Sequence, residues 1–236
     1  YRYHFDYRHK LYSKQIQGSF SKVAELEGRD INNNSLKIGI YNPISIEGFK
    51  PIGSVIVFGN NHEELINSRT VTIYKGATEN PVDFELLWEG NGISVWDPIE
   101  PNGYVKLGLV VSNGSKKPNP KEFCTVPLDF TKQTVVNNDY KWRSNPSKVF
   151  QNLSLWMSSD SDYCIGQSTV GTTFNPPSQF KRPVYTIDTQ SRDFLDRLYM
   201  GPLDNENEND LKSTCFKFMK QSDTSEPFIP DITIFK

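Results

Sequence analysis

The feature that most limits what this chain can fold into is a pattern that returns along it. The run Ile40-Tyr41-Asn42-Pro43-Ile44-Ser45-Ile46-Glu47-Gly48-Phe49-Lys50-Pro51-Ile52-Gly53 is matched by Val95-Trp96-Asp97-Pro98-Ile99-Glu100-Pro101-Asn102-Gly103-Tyr104-Val105-Lys106-Leu107-Gly108. Both run aromatic, Asx, Pro, a turn, Gly-aromatic, then apolar-Gly, and their final glycines are 55 residues apart. A third, degenerate copy leads from Leu155-Trp156-Met157 to Ile165-Gly166, 58 residues after Gly108, without the Pro or the Gly-aromatic pair. A unit of this length is too long for a solenoid rung, and three units are too few for a propeller. The expectation is an all-β, pseudo-three-fold, β-prism-like domain in which each copy supplies one sheet and closure removes exposed edges. A two-sheet β-sandwich is the alternative.

The local patterns agree with strands. Phe84–Trp88 and Val149–Trp156 alternate in the manner of half-buried strands. Asn102-Gly103 is a tight-turn signal, because glycine takes positive φ without steric cost. Further strands are expected at Tyr104–Ser112, Ser54–Phe58, Thr70–Tyr74, Phe123–Leu128 and Thr169–Phe174. Helical periodicity is scarce: one helix is expected at Ser191–Tyr199, opened by a Ser191 cap, and a short turn near His62–Ile66. With 15 Phe, 11 Tyr and 4 Trp beside 15 Gly and 15 Pro, the composition suits strands cut by many turns.

Residues 1–35 are expected to form an N-terminal arm or edge strand, 36–176 the repeated β domain, and 177–236 a C-terminal extension. The arm Tyr1–Lys10 is aromatic and basic. The extension holds an acidic loop at 203–211, with closing strands at Cys215–Met219 and Ile232–Phe235. The first residue is Tyr1, so either a leader was removed or the chain is a piece of something longer. No apolar run approaches the roughly 18 residues a membrane span needs.

The net charge of −2 gives no electrostatic argument for nucleic acid or an anionic membrane surface. Cys124, Cys164 and Cys215 are odd in number and widely spaced, which points to reduced thiols and not to a disulfide framework. Asn33, Asn113 and Asn152 begin N-x-S sequons of the kind that arise by chance in an Asn-rich chain.

Candidate chemistry is thin. His4 and His9 lie five residues apart, a poor spacing for metal ligands; His62 is the third and last histidine. Cys124 as a nucleophile has no base beside it in sequence, and a buried structural thiol is the simpler reading. Asp160 and Asp162 lie in a polar turn more naturally than in a calcium loop. The expectation is therefore no enzyme, no cofactor and no metal. The residues singled out form a structural repeat motif: Tyr41, Pro43, Gly48, Phe49, Gly53, Trp88, Trp96, Pro98, Gly103, Tyr104, Gly108, Trp156 and Gly166. Their aromatics belong in the core, with sugar stacking as the competing role; no residue is assigned to binding.

The second copy and its surroundings carry a family resemblance. Pro81-Val82-Asp83-Phe84-Glu85-Leu86-Leu87-Trp88, the 95–108 block, Lys117-Pro118, Phe123-Cys124-Thr125-Val126 and Leu128-Asp129-Phe130-Thr131 resemble the vacuolar protein sorting sixty-two (Vps62-like) family. The order of blocks agrees over residues 36–176. Similar repeats occur in the vacuolar protein sorting thirteen group of lipid-transfer proteins, whose repeat region binds adaptors through short proline-containing motifs. The resemblance implies a non-enzymatic interaction and targeting domain of a vacuolar sorting or lipid-transfer protein. Such a domain would bind an adaptor at organelle membranes, in the cytoplasm, as part of a larger parent chain. The alternative is a secreted or surface β-prism that binds carbohydrate or membrane.

Overall fold

The computed structural model describes residues 10–145, 151–158, 161, 163–170, 173–176, 184–190 and 194–196. The chain divides into two units, Tyr1–Leu195 and Asp196–Lys236, and all the described residues but Asp196 lie in the first. Residues 1–9 of the expected Tyr1–Lys10 arm, the acidic loop at 203–211 and both closing strands lie outside the described residues, as do His4, His9, Asp160, Asp162 and Cys215.

Strands are the dominant regular structure among the described residues. In chain order they are β1 (Leu11–Gln17), β2 (Phe20–Arg29), β3 (Ser35–Pro43), β4 (Val55–Phe58), β5 (Thr70–Gly76), β6 (Asp83–Gly90), β7 (Ile93–Ile99) and β8 (Tyr104–Val105). There follow β9 (Val110–Asn113), β10 (Val126–Pro127), β11 (Thr131–Gln133), β12 (Trp142–Ser144), β13 (Asn152–Trp156), β14 (Ile165–Thr169), β15 (Tyr185–Ile187) and β16 (Phe194–Asp196). One α-helix, α1 (His62–Ser68), joins β4 to β5.

Three antiparallel meanders organise these strands: β2-β3-β4, β6-β7-β9 and β12-β13-β14. Pairing of β12 with β2 joins the first and third into one six-stranded sheet. The register of the three is closely parallel. Tyr41 pairs with Val55, Trp96 with Val110 and Trp156 with Ile165. A bulge falls between Lys22 and Ala24 in β2 and between Leu86 and Trp88 in β6, opposite Tyr41–Ile40 and Trp96–Val95. A bulge of this kind sharpens the local twist.

One face of every meander meets a shared core. It takes Leu26, Ile38, Ile40 and Ile56 from the first, Trp88, Ile93, Val95 and Val111 from the second, and Trp142, Leu153 and Leu155 from the third. Each buried side chain of this size contributes roughly 1.5–3 kcal/mol, so no meander can keep its inner face dry alone. A second core gathers Leu11, Ile16, Phe49, Val71, Ile73, Val105, Leu107 and Val126 around the β1-β5 pair, which runs in register from Leu11↔Gly76 to Gln17↔Thr70.

Several local expectations need correction. The continuous strand expected at 104–112 is broken into β8 and β9. Leu107 enters the second core and Leu109 the shared one, whereas residues two apart on an unbroken strand face the same side. Only Val126–Pro127 of the 123–128 segment is strand, and Leu128–Phe130 is a turn of 3-10 helix. The strand placed at 169–174 instead runs Ile165–Thr169. Of the helix expected over 191–199, the described residues Phe194–Asp196 are extended. The short turn near His62–Ile66 is a full helix, with Glu63 and Glu64 favourably placed in its first turn.

Candidate functional site

The motif residues are assembled into backbone turns and buried packing. Tyr41, Trp96 and Trp156 occupy the middle strands β3, β7 and β13, and are 4%, 8% and 0% exposed. Each has a cover and a polar partner. The Tyr41 hydroxyl lies 2.7 Å from His62 Nδ1, beneath α1. Trp96 Nε1 donates to Ser94 Oγ (3.1 Å) and Ser112 Oγ (2.9 Å), and its ring packs with Phe84, Val110 and Phe123. Trp156 Nε1 donates to Ser154 Oγ at 2.9 Å and its ring meets Tyr140 edge-on.

Trp88 belongs to the shared core and donates from Nε1 to the Gln151 carbonyl at 2.8 Å; Trp142 does the same to the Leu36 carbonyl at 2.9 Å. Pro43 and Pro98 stand opposite Phe20 and Phe84. Gly48 and Gly103 form turns, Phe49 is buried between the Lys14 and Lys75 ammonium groups, and Tyr104 is half-buried in β8. Sugar stacking on Trp88, Trp96 or Trp156 has no open ring face to use. The sequon residue Asn152 is 1% exposed, so it offers no acceptor for a glycan in the folded chain.

Gly53 and Gly108 touch. A β-carbon on Gly53 would come within 2.7 Å of the Leu109 carbonyl oxygen and 3.3 Å of Gly108, and one on Gly108 would meet Tyr163 at 3.1 Å. Val55 and Val110, the partners of Tyr41 and Trp96, each follow their glycine by two residues. In the third meander the residue two before the partner Ile165 is Tyr163. Gly166 lies inside β14, opposite Leu155. Sequence alignment missed this because the third strand-to-strand excursion is shorter, and a glycine three residues on invited a false match.

A polar cluster clamps α1 to the first meander. Glu25 receives Lys37 at 2.8 Å, His62 Nε2 at 2.9 Å and Lys22 at 3.4 Å, and Lys22 also pairs with Glu63 at 2.5 Å. With Glu25 ionised, Nε2 donates to the carboxylate, so in the neutral ring Nδ1 accepts from the Tyr41 hydroxyl. Lys37's hydrogen bond is the largest influence on Glu25, opposed by desolvation and reinforced by His62 and Lys22; the carboxyl is held down at about 2. His62 is 2% exposed and saturated by these partners. Sequence reasoning passed it over, although Gly39, whose missing side chain makes room for the imidazole, was a usable signal.

Cys124 and Cys164 are free and buried, and burial pushes each thiol up to about 12. Cys124 Sγ donates to the Lys50 carbonyl at 3.4 Å. A thiol so far from ionising is a poor nucleophile. Among the described residues no group of His, Cys, Asp and Glu is placed to hold a metal ion, and no helix is long and apolar enough to cross a membrane.

Among the described residues two further features stand out. The first is β6, an edge strand of its sheet. Its C-terminal half is tied to the third meander through Trp88. At its N-terminal half, however, Leu86 is 46% exposed, and Val82, the residue just before the strand, is 65% exposed, beside Asp83 and Glu85. The second is a cavity of about 230 Å³. Ile52, Val55, Val71 and Leu107 give it apolar walls, and Arg69, Thr72, Ser161 and Thr186 a polar side.

Residues 10–183 match the family described as Vacuolar protein sorting-associated protein 62, a wider span than the 36–176 carried by the motif blocks. No curated protein matches the chain. In three dimensions it is similar to the crystal structure of GNIP1Aa from Chromobacterium piscinae, with a TM-score of 0.57 at 18% identity. That alignment covers 89% of this chain and 40% of the other, so this chain spans well under half of that protein's length. At this identity the likeness speaks for the fold alone.

Proposed function

This chain belongs to the vacuolar protein sorting-associated protein 62 family, and we propose that it is a non-enzymatic interaction and targeting domain. In this reading it works in the cytoplasm, peripherally at organelle membranes, by binding an adaptor protein through an extended, proline-containing segment. It serves a larger sorting or lipid-transfer protein, as the repeats of the vacuolar protein sorting thirteen group do.

The architecture in this proposal is a pseudo-three-fold β-prism made of three copies of one meander. The matching bulges and the shared core support it. So do the two indole bonds. Trp88 of the second meander reaches the carbonyl five residues before Trp156, and Trp142 of the third reaches the one five residues before Tyr41. The links run in the same direction around an axis, and Gly53, Gly108 and Tyr163, at steps of 55 residues, meet beside it.

The observation that carries the functional reading is the N-terminal half of β6. Exposed apolar side chains on an edge strand invite pairing with another chain, and proteins ordinarily blunt such edges. An extended peptide adding to β6 would gain main-chain hydrogen bonds and cover Val82 and Leu86.

The test is binding of proline-containing peptides to the purified domain, read by anisotropy and by amide shifts along β6. Saturable binding with shifts at 82–86, lost in Leu86→Lys, is the expected result. Absence of peptide binding, with retention on immobilised glycans or liposomes, would replace this reading with that of a surface-targeting domain.

A further inference from the structure

With the edge-strand reading above as the basis, we propose that the segment β6 accepts is a basic one: an extended stretch of another protein in which apolar residues alternate with Lys or Arg. Both halves of that pattern are set by the two faces of β6.

Side chains alternate along a strand, and cross-strand partners share a face. Phe84 is buried with Trp96, Val110 and Phe123 on the face away from the shared core. Leu86, in register with Trp96, stands on that face at 46% exposed. Asp83 and Glu85 stand on the other face, in register with Ile99 and Asp97. Just before the strand, Val82 N donates to the Ile99 carbonyl at 2.8 Å, which keeps that residue beside β7. A strand added along 82–86 would therefore meet Leu86 on one face and two carboxylates on the other.

Those carboxylates select what can add. A second copy of β6 is disfavoured by them. Antiparallel pairing centred on Phe84 sets Asp83 against Glu85 twice, and parallel pairing in register sets each carboxylate against itself. Like charges directly opposite destabilise a strand pair. A Lys or Arg on the added strand reverses the sign. Glu85 is exposed and, among the described residues, is in no ion pair. Asp83 is held by Lys117 at 2.6 Å, but the two side chains are 49% and 46% exposed, and a pair so exposed is worth little in water. An incoming ammonium can take the place of Lys117 at small cost. One strand further in, Asp97 is matched by Lys106 at 2.7 Å, so the acid offered to a partner is Glu85 and, by exchange, Asp83.

Leu86 and Val82 complete the pattern. Carboxylates alone serve to blunt an edge, whereas apolar side chains beside them give a partner's alternate residues something to bury. On an added edge strand every second residue turns its N–H to solvent, so proline fits at those positions without losing a bond to β6.

The experiment titrates the full chain with three labelled, proline-flanked peptides that carry Val at alternate positions and Lys, Gln or Glu between them, read by anisotropy and amide shifts. The expected result is saturable binding of the Lys peptide with shifts at 82–86. Binding should weaken about tenfold in the Gln peptide, through loss of two charge pairs, and vanish in the Glu peptide. Added salt should weaken the Lys peptide and leave the Gln peptide unchanged. Glu85→Lys is expected to turn the preference toward the Glu peptide, a gain that a misfolded variant could not show. Equal binding of the Lys and Gln peptides at 82–86 would overturn the charge selection and leave the edge-strand reading standing. Binding of none of the three would overturn both, and Lys-peptide shifts confined to residues outside 82–86 would overturn the site. Sedimentation equilibrium of the free chain tests the other occupant. A monomer is expected, and a dimer that Leu86→Lys dissociates would replace the basic segment by a second copy.

Discussion

At Gly53 the first meander touches the second at the level of the backbone, and the two glycines of the repeat motif differ in why they must be glycine. At Gly53 the reason is steric: an added β-carbon would strike the Leu109 carbonyl at 2.7 Å. At Gly103 nothing lies within 4 Å, but φ is +82°, a conformation that strains L-residues. Gly53→Ala is therefore expected to cost about 1–3 kcal/mol as overpacking and Gly103→Ala about 1–2 kcal/mol as backbone strain, read from urea midpoints. A Gly103→Ala variant as stable as the parent would contradict the strain assigned to its positive φ. Glu25 supplies a pH signature. Lys37 and its other partners hold the carboxyl down to about 2, below the ordinary glutamate value of 4.5. Its contribution is thus fully present above about 4.5 and lost as pH falls toward 2. Glu25→Gln is expected to flatten the stability profile in that acid window. A variant whose profile keeps the full slope there would place the titration elsewhere. The sequence marked both glycines, because spacing and the Asn102-Gly103 pair are local facts. It gave no hint of Glu25, which acquires its partners Lys37 and His62 only through strand pairing and the docking of α1.

Among the elements, the middle strands β3, β7 and β13 dominate, each pinned on both sides by its meander. The indole bonds from Trp88 to Gln151 and from Trp142 to Leu36 link one meander to the next. Replacing either tryptophan by phenylalanine removes a donor and leaves a carbonyl short of a partner. Each change is expected to cost about 1–3 kcal/mol for the lost bond, plus the volume removed from the core. Measured together in a double variant, the two losses should add, since they bridge different pairs of meanders. Strand locations were legible where alternation was clean, as at Thr70–Tyr74 and Phe84–Trp88. They were illegible where one segment serves two cores. The break between Leu107 and Leu109, and the 3-10 turn after Pro127, follow from which core claims each side chain, and hydropathy cannot express that choice.

Across the whole molecule, the shared core makes the three meanders one cooperative unit. Slowly exchanging amides of β3, β7 and β13 are expected to share a common opening free energy under native conditions. Much faster exchange confined to one of the three would show a separable module. The sequence by itself determined that the chain is β-rich, which family it belongs to, and where the aromatic-Asx-Pro elements fall. Those properties are written in short-range alternation, turn residues and block order, each legible within one stretch of chain. Tertiary structure alone decided that Tyr163, not Gly166, meets Gly108, and that His62 is a buried link between Tyr41 and Glu25. Each of these depends on residues tens of positions apart being brought within a few ångströms, and the register and packing that achieve it are properties of the assembled sheets.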